Sequence, residues 1–86
     1  MELDQIRRDI SDTDQQLLSL FAKRRTLALA VADAKLAQNK PIRDQVREQE
    51  LLLSLIEKAK PLGLDAQYVT RLYHVIIEDS VLQQQA

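Results

Sequence analysis

Cysteine is absent from the 86-residue sequence, which excludes a disulfide framework and any thiolate metal site. Nothing therefore argues for an oxidising compartment, and a cytoplasmic home fits best. One glycine and two prolines are too few to punctuate a turn-rich β architecture. Aromatic residues make up only 3% of the chain, so any core is built from Leu, Ile, Val and Ala. Neither sign of charge prevails: 12 Lys and Arg stand against 13 Asp and Glu, for a formal net charge of -1. The basic residues are scattered among acids, and the run Lys23-Arg24-Arg25 is too short for a nucleic-acid patch, so no nucleic-acid partner is expected. No apolar run approaches the length of a membrane span, and charge at Glu2 and Asp4 argues against a signal peptide.

What is present is helical periodicity. Leu3, Ile10, Leu17 and Val31 share one heptad position, and Ile6, Leu20, Leu27 and Ala34 share the other. This predicts a first helix from Leu3 or Asp4 to Leu36 or Ala37, stopped by Asn39 and Pro41. A second helix is expected from about Asp44, a good N-cap, to just before Pro61 and Gly63. Asp65 caps a third, whose stripe runs Val69, Leu72, Tyr73 and Ile76. Residues 1–86 thus read as one all-α domain of three helices, one long and two shorter. A first helix of about 35 residues spans roughly 50 Å, and two shorter helices cannot cover its apolar stripe. A symmetric homodimer with the long helices side by side is the simplest remedy.

One residue does not fit the stripe. Arg24 occupies the heptad slot between Leu17 and Val31, and its guanidinium keeps its charge at neutral pH. Lys35, eleven residues on, lies only about 20° further around the helix. On the second helix, stepping back from Leu52 by fours gives Glu48 and Asp44, and on the third, stepping forward from Ile76 gives Ser80 and Gln84. Two cations, two acids, a hydroxyl and an amide form a suitable lining for a small oxygen-rich carboxylated molecule. Taken singly, each has a plainer account. Arg24 could snorkel or pair with an acid, Lys35 and Arg7 could be solvated, Asp44 and Glu48 could serve the helix dipole, and Ser80 and Gln84 could mark a helix end. Arg7 points about 100° away from Arg24 and would more readily serve a partner's site. His74 is the sole histidine, lies off the stripe and has no Cys or second His to share a metal, so it reads as a surface residue.

Arg7, Arg24 and Lys35 on a long first helix, then Pro41-Ile42-Arg43-Asp44-Gln45-Val46-Arg47-Glu48, then Ile76-Ile77-Glu78-Asp79-Ser80-Val81-Leu82-Gln83-Gln84, together resemble the all-helical chorismate mutases. The likeness is greatest to the mutase domain that opens the bifunctional chorismate mutase and prephenate dehydratase proteins. That resemblance implies an intertwined homodimer and a cofactor-free Claisen rearrangement of chorismate to prephenate. By the same resemblance, Arg24 and the partner's Arg7 hold the two carboxylates, while Lys35 reaches a carboxylate and the ether oxygen. Gln84 donates to that oxygen, Glu48 and the backbone near Asp44 hold the ring hydroxyl, and Ser80 and Arg47 complete the pocket. Two alternatives stand beside it: isochorismate pyruvate lyase chemistry on the same fold, and a non-catalytic dimerisation module whose polar stripe sets register.

Overall fold

A computed structural model describes residues 2–85, and every regular element among them is helical. Helix α1 spans Leu3–Ala37, α2 spans Gln45–Ala59 and α3 spans Ala66–Gln85, with one 3₁₀ turn over Lys60–Leu62 between the last two. None of the helices is long and apolar enough to cross a membrane.

The helix ends follow from local chemistry. After α1 the chain enters the left-handed region at Asn39, with φ of 58°. There the N–H of Asn39 bonds the carbonyl of Leu36 and that of Lys40 bonds the carbonyl of Lys35, which closes a paired reversal that consumes otherwise orphaned carbonyls. Gly63, with φ of 76°, repeats the device after the 3₁₀ turn, its own N–H bonding Lys60 and that of Leu64 bonding Ala59. Asp44 caps α2 by accepting from the Arg47 N–H at 3.0 Å, and Asp65 caps α3 by accepting from the Tyr68 N–H at 3.1 Å.

Helix α3 packs against both of the others. Among the described residues the buried apolar ones are Ala28, Ala59, Val69 and Val81, all small or β-branched. Beside them the Arg25 guanidinium grips the Asp79 carboxylate through two bonds, of 2.6 and 3.0 Å, locking the register of α1 against α3.

This is a thin core. Every residue from 2 to 23 is exposed, including Leu3, Ile6, Ile10, Leu17, Leu20 and Phe21 of the heptad stripe and its flank. The accessible surface is 6977 Å², where a compact monomer of this mass would show about 5200 Å². The radius of gyration is 16.0 Å, against about 12 Å for a compact chain of this length. The excess surface belongs largely to the uncovered part of α1.

Candidate active site

The carboxyl-terminal half of α1, the start of α2 and the end of α3 converge on a cleft of about 320 Å³. Seven of the eight residues expected at a site line it: Arg24, Lys35, Asp44, Arg47, Glu48, Ser80 and Gln84. The apolar floor comes from Leu27, Ala28, Val31, Leu51, Ile77 and Val81. The periodicity explains the convergence, since Arg24, Ala28, Val31 and Lys35 follow one another along a single face of α1. Ile77, Ser80, Val81 and Gln84 do the same on α3.

Arg24 is half-buried, and its guanidinium donates to the Ser80 hydroxyl. That hydroxyl donates in turn to the Ile76 carbonyl at 3.1 Å, so a backbone group fixes its orientation. The Lys35 ammonium donates to the Ile42 carbonyl in the α1–α2 loop. Among the described residues no carboxylate lies within ion-pairing distance of Arg24, Lys35 or Arg47. Three cations therefore border the cleft without an anionic partner.

The two acids of the cleft are otherwise engaged. Asp44 spends one carboxylate oxygen on the cap of α2. Glu48 accepts at 2.9 Å from Arg43, which approaches from outside the cleft and also holds Glu78. The Arg43 hydrogen bond keeps the Glu78 carboxyl below the ordinary carboxylate range, against the opposing effect of desolvation. Arg25 does the same for Asp79. Gln84 borders the cleft, and its side-chain oxygen, an acceptor, is buried with no hydrogen-bond partner.

Arg7 does not join this cleft. It is 68% exposed, approaches only Asp4 at 4.0 Å, and lies about 25 Å along α1 from Arg24 at 1.5 Å per residue. His74 is exposed, one turn before Glu78. Among the described residues no group of three His, Asp or Glu side chains gathers as a metal site. Two pairs near the cleft carry no signal in the sequence: Arg43 with Glu78, and Arg25 with Asp79. The partners lie 35 and 54 residues apart, and no local periodicity marks such a pair.

The arrangement can bind a compact polyanion and orient it against an apolar floor, with the Gln84 amide beside it. Comparison with known proteins agrees with this chemistry. Residues 6–85 match the family described as chorismate mutase type II. The chain is 56% identical over 81 residues to a bifunctional chorismate mutase/prephenate dehydratase of Enterobacter agglomerans, covering 94% of this chain and 21% of that protein. It is 53% identical over the same length to the bifunctional protein of Escherichia coli strain K12, and so spans about a fifth of the length of these relatives. A chorismate mutase of Methanocaldococcus jannaschii is 31% identical over 85 residues, with 98% of this chain and 86% of that protein covered. The chain belongs to the chorismate mutase type II family.

Proposed function

We propose that residues 1–86 form one catalytic domain that rearranges chorismate to prephenate as a homodimer. The observation that carries this reading is the cleft itself: three cations without carboxylate partners, beside the Gln84 side chain, set over an apolar floor. Chorismate has two carboxylates, a ring hydroxyl and an enol ether, and each finds a complementary group. Arg24 takes one carboxylate in its planar fork, and Arg7 of a second copy takes the other. Lys35 spans a carboxylate and the ether oxygen, Gln84 donates to that oxygen, and Glu48 accepts from the ring hydroxyl near the Asp44 backbone. Ser80 orients Arg24, and Arg47 adds positive charge at the rim.

The rate enhancement follows from electrostatics and conformation. Cleavage of the carbon–oxygen bond runs ahead of carbon–carbon bond formation, so negative charge grows on the ether oxygen. Donors fixed there by Lys35 and Gln84 stabilise the transition state more than the substrate. Gripping both carboxylates selects the compact conformer in which the reacting carbons meet. No proton needs to move, which accords with a lining that lacks histidine and cysteine.

The dimer rests on the uncovered helix. Most helical stability in proteins comes from packing an amphipathic face, yet residues 3–23 of α1 are all exposed. An apolar groove between α1 and α3, walled by Leu18, Phe21, Leu72, Val75 and Ile76, offers a seat for the same helix of a second copy.

Loss of chorismate's ultraviolet absorbance, with the product identified and Arg24→Ala run alongside, tests the proposal. Saturable prephenate formation that disappears in Arg24→Ala supports it. Release of pyruvate from isochorismate without prephenate formation would assign the lyase reaction instead. A folded dimer inert to both substrates would leave only the dimerisation module.

A further inference from the structure

We infer that Arg43 is a positioning residue: it aims the Glu48 carboxylate at the substrate's ring hydroxyl, and Glu78 holds it in place to do so. This rests on the chorismate mutase reading and extends it to two residues that do not touch the substrate.

The argument begins with a conflict of charge. Glu48 stands in the first turn of α2 and lines a cleft that also contains Arg24, Lys35 and Arg47. A carboxylate on a flexible stem in such company would be expected to swing toward those cations and neutralise the anion site. It does not. Its Oε1 accepts at 2.9 Å from Nη2 of Arg43, which lies outside the cleft lining. One oxygen of Glu48 is thereby fixed, and Oε2 is left to accept from a hydroxyl.

Arg43 needs its own anchor, because it projects from the loop ahead of α2. Glu78 on α3 supplies one, with Oε1 at 2.7 Å from Nη2 and Oε2 at 3.5 Å from Nη1. A single guanidinium thus ties the loop, α2 and α3 together behind Glu48. The side chains of Arg43 and Glu78 are 39% and 42% exposed, so their pairing adds little to folding stability. Its effect is orientation, which matters to a rate more than to a melting temperature.

The test compares the wild type, Arg43→Ala and Arg43→Lys on chorismate and on an analogue with hydrogen in place of the ring hydroxyl. The expected result is a fall of about tenfold in kcat/KM for chorismate in Arg43→Ala, the usual scale for losing an outer support of a site residue. Turnover of the analogue should be nearly unchanged, so that discrimination between the two substrates collapses. Arg43→Lys, which keeps a cation able to reach carboxylates, should recover part of the loss. In a Glu48→Ala background, Arg43→Ala should add nothing further. Equal losses on both substrates with a lowered melting temperature would make Arg43 a structural bridge and overturn the inference. An unchanged kcat/KM in Arg43→Ala would overturn it as well. A wild type that converts no chorismate would instead refute the functional reading beneath it.

Discussion

Replacing Gln84 with glutamate separates donation from shape, because the two side chains are nearly isosteric and only the amide donates at every ordinary pH. In the wild type the amide lines the cleft and its oxygen is buried without a partner. A glutamate there donates only in its protonated form. With an ordinary glutamate value near 4.3, the protonated fraction is about one in six at pH 5 and about one in 500 at pH 7. The variant should therefore lose about 500-fold at pH 7, close to 4 kcal/mol of transition-state stabilisation and within the range for removing one fixed donor. Between pH 7 and pH 5 it should regain about 80-fold, approaching tenfold per pH unit on the steep limb. Burial favours the neutral acid, while Arg24 and Lys35 favour the carboxylate. Those influences move the limb along the pH axis without changing its slope. Initial rates of chorismate loss from pH 4.5 to pH 8, beside the wild type and with circular dichroism to check the fold, make the measurement. A Gln84→Glu profile parallel to that of the wild type would refute the assigned role.

Arg24→Lys should lower kcat/KM by about 100-fold, because an ammonium cannot hold a carboxylate at two points, and steady-state kinetics with a melting curve would separate this from unfolding. Light scattering at micromolar concentration should give about twice the 9.9 kDa chain mass, and Phe21→Asp in the groove should shift the population toward monomer. Arg25 holds the Asp79 carboxyl below its ordinary range, so the stabilising contribution of that clamp is present above that range and is lost as pH falls through the lowered value. Melting temperature should accordingly drop below about pH 4, and less steeply in Asp79→Asn. Gly63→Ala should cost about 1 kcal/mol in a denaturant titration, because the strain is conformational; a Cβ at Gly63 would meet no atom within 4 Å.

The helices were legible because their signals are local. Asn39 stands in the left-handed position that its sequence context suggested, and Asp44 and Asp65 cap the helices they were expected to cap. The gathering of Arg24, Lys35, Glu48, Ser80 and Gln84 was legible for a related reason: spacings of four and eleven keep residues on one helix face. What periodicity cannot show is how faces of different helices pair. The Arg25–Asp79 clamp and the Arg43–Glu78 tie join residues whose partners are set by tertiary packing, and neither pair leaves a pattern within its own helix. Asp44 carries a related lesson, since the plainer account of it as a residue serving the helix end describes its carboxylate, and its place at the cleft does not contradict that.

In the proposed dimer, the uncovered helix and the second carboxylate contact are two sides of one design. Arg7 lies on the bare part of α1, about 25 Å from the cleft of its own chain and beyond any side-chain reach. In the proposed dimer, the helix that buries Leu3, Ile6, Ile10 and Leu17 against a second copy is also the element that carries Arg7. In the proposed dimer, association would cover that stripe and bring one chain's Arg7 to the other's carboxylate pocket in a single step. A monomer would lack both the buried surface and the second anion contact, so folding and substrate binding would share one dependence on concentration. This economy also accounts for the small core. With Ala28, Ala59, Val69 and Val81 as its buried apolar residues, the single chain has little to hold it beyond its capped ends and the Arg25–Asp79 clamp. In the proposed dimer the further hydrophobic burial comes from the surface on which Arg7 sits.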